Sequence, residues 1–252
     1  MDAVKSALIW FGVLMLVLLW LPLLAISRLI DRDPAHYYTG RLFRKLGKAI
    51  SRINPNWGIT ISGRLDVNDR NPYIMVCNHL SQADIPLISN LPWEMKWVAK
   101  KELFDLPVVG WLMKLAGDIP VDRNALMKKR NTLEKAGEYL SRECSVMFFP
   151  EGTRSRNGRL NRFSRGAFQL AVTNQVPVLP MVIDGTQNCL PKKSWKFGYA
   201  PDIRLKILDP IPTETFSEDE ADKLMEATRS RIRQQLMEWR GEPADKVDNY
   251  LS

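Results

Sequence analysis

The chain has 252 residues and is 45% hydrophobic, enough for a sizeable core, which excludes wholesale disorder. Its net charge of +8 favours an acidic partner: nucleic acid, an anionic membrane surface or a phosphorylated substrate. Cys77, Cys144 and Cys189 are scattered, leave no disulfide framework or zinc spacing, and fit a reducing compartment.

Residues 7–26 read ALIWFGVLMLVLLWLPLLAI, without a charge. As a helix they extend about 30 Å, the thickness of a bilayer core. Trp10 and Trp20 suit membrane interfaces, and Pro22 is expected to bend or end the helix. A cleaved signal peptide is the alternative, with Ala25-Ile26-Ser27 as its cleavage site. The long apolar stretch, the lone basic Lys5 before it and Arg28 directly after it favour a retained anchor.

In YYTGRLFRKLGKAISRIN, Leu42, Phe43, Leu46, Ala49, Ile50 and Ile53 repeat at helical spacing. Arg41, Arg44, Lys45, Lys48 and Arg52 fall on the opposite side of the wheel. Such a helix either lies in the headgroup plane or covers the core with a solvated basic face. The basic excess here predicts that the rest of the chain is cytoplasmic.

From residue 57 on, short apolar runs alternate with helical patterns. Strands are predicted at Ile59–Ser62, Tyr73–Cys77, Lys96–Ala99, Asp118–Val121, Ser145–Phe149, Val178–Ile183 and Ile203–Ile207. Helices are predicted near Ile85–Ser89, Pro107–Ala116, Ala125–Arg142, Gly166–Asn174 and Glu218–Trp239. This alternation predicts an α/β fold: a single domain with a largely parallel central sheet flanked by helices. The expected organisation is a membrane-associated helical segment over 1–55, the α/β domain over 56–240 and a polar tail over 241–252 that frays.

The sequence CNHLSQADIP, residues 77–86, follows a strand and contains one of only two histidines. Pro86 fits the first turn of a helix starting near Asp84. With His79 left in the loop, the chain can curl back so that Asp84 reaches the imidazole, fixing one tautomer and leaving a base. Read blandly, His79 bonds a backbone carbonyl and Asp84 is a helix N-cap. FPEGTRSR, residues 149–156, follows another strand. Gly152 permits close backbone approach and Arg154 offers a planar fork suited to phosphate. Arg156, Arg159, Arg162 and Arg165 add positive charge nearby, although Asn157-Gly158 alone reads as a solvated turn.

NHLSQAD resembles the Asn-His-x4-Asp block of the glycerolipid acyltransferases, and FPEGTRSR resembles their Phe-Pro-Glu-Gly-Thr-Arg block. VAKKELF (98–104), GDIPVDR (117–123) and VPVLPM (176–181) are similar to further blocks, all in family order across about half the chain. Length and an N-terminal membrane segment bring the chain nearest to the bacterial 1-acylglycerol-3-phosphate branch. One departure is Ser164, where many members carry Lys, although Arg165 is adjacent.

The resemblance implies acyl transfer from acyl-CoA or acyl carrier protein to the 2-hydroxyl of lysophosphatidic acid at the cytoplasmic side of an inner membrane. It implies His79 as general base and Asp84 as its partner. It assigns acceptor binding to Glu151, Gly152, Thr153 and Arg154, with Lys100 and Arg123 as further anion ligands. It implies no metal or other cofactor; His36 and His79, the only histidines, lie in different segments. Another lysophospholipid or glycerol 3-phosphate as acceptor, or a basic membrane-tethered binder, remain alternatives. Nucleic acid is not an expected partner, because aromatic stacking motifs are absent.

Overall fold

A computed structural model of the chain describes residues 2–66, 68, 70–122, 126–191 and 194–250. The strands β1 (Trp57–Gly63), β2 (Ile74–Cys77), β3 (Met95–Lys100), β4 (Ile119–Val121), β5 (Ser145–Phe148), β6 (Val178–Asp184) and β7 (Ala200–Ile207) form one sheet, in the order β1-β7-β6-β2-β5-β3-β4. Neighbours run parallel except β6 and β7, which are antiparallel. The helices are α1 (Ala3–Ile30), α2 (Tyr37–Arg52), α3 (Asp84–Ile88), α4 (Lys101–Phe104), α5 (Val109–Ala116), α6 (Leu126–Ser141), α7 (Gly166–Thr173), α8 (Ala221–Arg240) and α9 (Ala244–Val247).

The central strands are apolar on both sides because both faces of the sheet are covered. In β2, Ile74 and Val76 point into a core shared with Phe168 of α7 and Leu224 and Ile232 of α8. Met75 and Cys77 point the other way, among Trp93, Met147, Leu179 and Ile203. The neighbours β6, β2 and β5 are mutually parallel, so all three release their chains at one edge of the sheet. That edge is where ligands usually bind in open α/β sheets.

The predicted apolar helix is longer than residues 7–26. Asp2 caps it by accepting the Lys5 N–H at 2.8 Å, and Pro22 lies inside it without ending it. Leu24 of α1 packs with Leu46 of α2 and Leu112 and Ala116 of α5. Polar contacts tie α1 to the rest of the chain along its length. Ser6 Oγ accepts the Phe197 N–H at 3.2 Å, Trp10 Nε1 donates to the Trp195 carbonyl at 2.7 Å, and Trp20 Nε1 donates to the Leu42 carbonyl at 2.9 Å. Near the other end, the Ser27 and Thr39 hydroxyls lie 3.1 Å apart.

Two expectations are corrected. Arg44 is not part of an exposed basic face: it is buried, 2.6 Å from Asp118 and 3.5 Å from Glu94. Lys96 completes this buried cluster, 3.0 Å from Glu94. The polar tail does not fray over its described residues, 241–250. It forms α9, buries Val247 and Asp248, and pairs with Leu160. Arg229 of α8 donates to the Asp248 carboxylate, and this buried ion pair fastens the tail.

Candidate active site

His79 follows β2 by two residues, and α3 begins at Asp84 with Pro86 in its first turn. The intervening loop curls so that His79 Nδ1 lies 2.7 Å from Asp84 Oδ2. The same oxygen accepts the Leu80 and Ser81 N–H groups at 2.8 and 2.9 Å. Asp84 is fully buried, and its Oδ1 accepts the hydroxyl of Thr186, also fully buried. A carboxylate receiving this many donors acts as an acceptor. His79 Nδ1 therefore carries the hydrogen, and Nε2 keeps its lone pair as a base. The ring, 16% exposed, stacks on Phe149 with centroids 4.0 Å apart.

Asn78 explains why an amide precedes the histidine. Its side chain donates to the Ile183 carbonyl and accepts the Ile183 N–H, both at 2.9 Å, as a strand residue would. This locks the end of β2 to β6 and sets where His79 begins.

The loop after β5 clamps His79 from the other side. Glu151 Oε1 accepts the His79 N–H at 2.8 Å, and the Ser155 N–H donates to the His79 carbonyl at 2.8 Å. Glu151 Oε2 accepts the N–H and the side-chain amide of Asn161 at 3.0 and 2.8 Å. Burial pushes the Glu151 carboxyl up to about 7, although these donors pull it down. Asn161 is oriented in turn by Asn249 of the tail, whose amide donates to Asn161 Oδ1 at 2.9 Å.

Gly152 sits at φ +69°, a left-handed conformation that glycine accepts without a Cβ penalty, and its N–H closes a turn on the Phe149 carbonyl at 2.9 Å. Thr153 is exposed, and Arg154 is half-buried with no hydrogen bond or ion pair among the described residues. Its guanidinium is available for an anionic ligand. Lys100 ends β3 on the same edge of the sheet, two strands from β2, and is exposed rather than in contact with the histidine. Arg123 lies outside the described residues. An apolar cavity of about 240 Å³ opens beside this site, with Ile85 and Pro86 of α3, Phe43 and Ile50 of α2, and Trp10 and Val17 of α1 in its walls.

Sequence reasoning missed Thr186, Asn161 and Asn249. Thr186 and Asn249 meet their partners from distant segments, Asn161 meets Glu151 across ten residues of irregular loop, and a lone polar residue carries no periodic signal. Asn78 stood inside a recognisable block but its pairing with β6 was not legible.

Comparison with known proteins adds to this geometry. The acyltransferase family model matches residues 58–184, which hold both the His79 and the Glu151 segments. A chloroplastic 1-acyl-sn-glycerol-3-phosphate acyltransferase from Brassica napus is 31% identical over 206 residues, covering 81% of this chain and 57% of the relative. The 1-acyl-sn-glycerol-3-phosphate acyltransferase of Cocos nucifera is 33% identical over 229 residues, covering 90% and 69%. The first curated relatives are longer proteins, of which the chain spans little more than half. The crystal structure of a 1-acyl-sn-glycerophosphate (LPA) acyltransferase from Thermotoga maritima superposes with a TM-score of 0.78 at 25% identity, covering 96% of this chain and 99% of that one.

Proposed function

The chain belongs to the acyltransferase family, and from that premise we propose that it moves a fatty acyl group from a thioester to the 2-hydroxyl of lysophosphatidic acid, giving phosphatidic acid. The observation that carries this reading is the 2.7 Å contact between His79 Nδ1 and buried Asp84, which leaves Nε2 as a base. In the proposed step, Nε2 takes the hydroxyl proton as the oxygen attacks the thioester carbon. The tetrahedral intermediate collapses, the carbon–sulfur bond breaks, and the imidazolium returns the proton to the departing thiolate. Asp84 stabilises the imidazolium throughout. The exchange calls for no cofactor; the donor is acyl-CoA or acyl carrier protein.

Arg154, with Gly152 and Thr153, is the proposed holder of the acceptor phosphate, because its guanidinium has no partner among the described residues and follows the turn at Gly152. Glu151 holds the His79 main chain rather than the phosphate. Lys100 adds positive charge at the same sheet edge, and Arg123 is kept in that role on resemblance alone. The apolar cavity beside α3 suits an acyl chain.

The site is proposed to work at a membrane, on the cytoplasmic face of an inner membrane. α1 is apolar and exposed along one side, with Leu8, Leu19 and Ile26 outward. Its opposite side is bonded to the domain from Ser6 to Ser27. A perpendicular crossing would draw polar protein into the hydrocarbon, so α1 lies within one leaflet.

Purified protein given acyl-CoA or acyl carrier protein with lysophosphatidic acid, glycerol 3-phosphate or another lysophospholipid tests the reading. Phosphatidic acid from the first acceptor is expected. Consumption of no thioester with any of them would end the proposal.

A further inference from the structure

The Asp84 carboxylate has two oxygens with unequal company. Oδ2 takes three donors, from His79 and the Leu80 and Ser81 backbone. Oδ1 takes one among the described residues, the Thr186 hydroxyl. Both side chains are fully buried, so no exposed water shell replaces that donor.

Thr186 is not there by chance of packing. β6 ends at Asp184, and Gly185 then turns the chain at φ +86°. A Cβ at residue 185 would stand 2.1 Å from the Asp202 carbonyl oxygen, so the turn is reserved for glycine. The turn delivers Thr186 as the first residue of a 3₁₀ turn running to Asn188. Asp184 is held from α8 by Arg240 at 2.6 and 3.0 Å, and Arg240 also donates to the Gly158 carbonyl at 2.9 Å. One arginine thus braces the two loops on either side of His79.

We propose that Thr186 is a positioning residue of the reaction: it fixes the rotation of the Asp84 carboxylate so that Oδ2 faces the His79 ring. This rests on the acyl-transfer reading above. Without the hydroxyl, the Leu80 and Ser81 N–H groups would still hold Oδ2, but with Oδ1 unheld the carboxylate plane could tilt about that oxygen and meet the imidazole at a poorer angle. Its charge would also lose a compensating donor and pull harder on imidazolium.

The titratable groups around Asp84 are His79, Glu151, Cys77 and Cys189. Burial pushes the Cys77 thiol far up and the Cys189 thiol to about 12, so both stay neutral near pH 7. Glu151, at about 7, is present in every variant compared and its contribution cancels in the difference.

The test is Thr186→Val beside Thr186→Ser in the full-length protein. Turnover is read together with the nitrogen-15 titration of the His79 ring, with His36→Asn removing the chain's other imidazole. The expected result for Thr186→Val is a fall in kcat of roughly 10- to 100-fold, from one hydrogen bond to a charged group. KM for both substrates stays put, and the midpoint of the His79 ring moves to higher pH. Thr186→Ser, which keeps the hydroxyl, returns both readings close to wild type. In an Asp84→Asn background, Thr186→Val costs nothing further, because the two residues act as one unit. A folded Thr186→Val with wild-type kcat and an unmoved ring would overturn the proposal. So would losses that add independently, or Thr186→Ser failing as badly as Thr186→Val. If Thr186→Val does not fold, Thr186→Ala is judged by the same ring titration. That titration needs no turnover, so a chain without acyltransferase activity would sink the functional reading while Thr186 was still tested.

Discussion

Glu151 accepts the backbone N–H of His79 at 2.8 Å, so the carboxylate of one loop holds the main chain of the other. The two residues are 72 apart in sequence and follow adjacent strands, β2 and β5. His79 is thereby fixed twice, through its ring by Asp84 and through its backbone by Glu151.

Both Glu151 oxygens accept N–H donors, and a glutamine can present only one acceptor. Glu151→Gln therefore leaves a donor facing a donor, and turnover should fall with little change in thioester affinity. The pH dependence follows from the raised carboxyl, about 7 against 4.5. A raised group favours the folded state fully below about 4.5, and this contribution is lost as pH rises through about 7. Wild type should lose up to about 1.4 kcal/mol per pH unit relative to Glu151→Gln across that window, and nothing more above it. Denaturant midpoints between pH 5 and 8 measure the difference; parallel curves would contradict it.

Arg154→Ala should weaken use of a phosphate-bearing acceptor by about tenfold to a hundredfold, the worth of a charge-assisted contact of roughly 1.5–3 kcal/mol. Thioester KM should barely move. Arg154→Lys should recover part of the loss, since a point charge replaces a fork. Equal losses for both substrates in steady-state kinetics would remove Arg154 from the phosphate.

Arg44→Met should lower stability by about 3–5 kcal/mol, because it strands buried Asp118 without its ion-pair partner and leaves Glu94 with Lys96 alone. Lys45→Glu, one residue on and exposed, should stay within about 0.5 kcal/mol. Thermal melts of the two variants in detergent decide it. Any test of basic residues on α2 against anionic lipid has to leave Arg44 in place and use Lys45 and Arg52, which are exposed.

Nitroxide labels at residues 8, 19 and 26 report how α1 meets the bilayer. The three positions share one exposed side of the helix, and the outer two are 18 residues apart, about 27 Å along its axis. A helix lying in one leaflet gives them similar depths by oxygen and nickel accessibility. A crossing helix would place residue 19 near the midplane with the other two toward opposite surfaces.

Much of the fold was legible because it follows from local patterns. All seven predicted strands are present, and their largely parallel pairing, with β6 and β7 the antiparallel exception, follows from alternation with helices. His79 and Asp84 were legible because a proline marks the start of α3 and the loop between them is short. Arg44 was misread because helical periodicity treats every charge as solvated, whereas its partners lie immediately before β3 and β4, some 50 to 74 residues away. The tail was misread because a polar composition says nothing of Val247 or of the Arg229–Asp248 pair. Thr186 meets Asp84 across 102 residues, a contact that only the assembled sheet creates.

The central claim is that His79, held by Asp84, is the base that delivers a hydroxyl to a thioester. Single-turnover transfer to lysophosphatidic acid by His79→Ala, against wild type at matched folding, tests it most directly. The account predicts a rate lower by about 10²–10⁴-fold with unchanged binding of both substrates. An Ala variant that forms phosphatidic acid at close to the wild-type rate would contradict it.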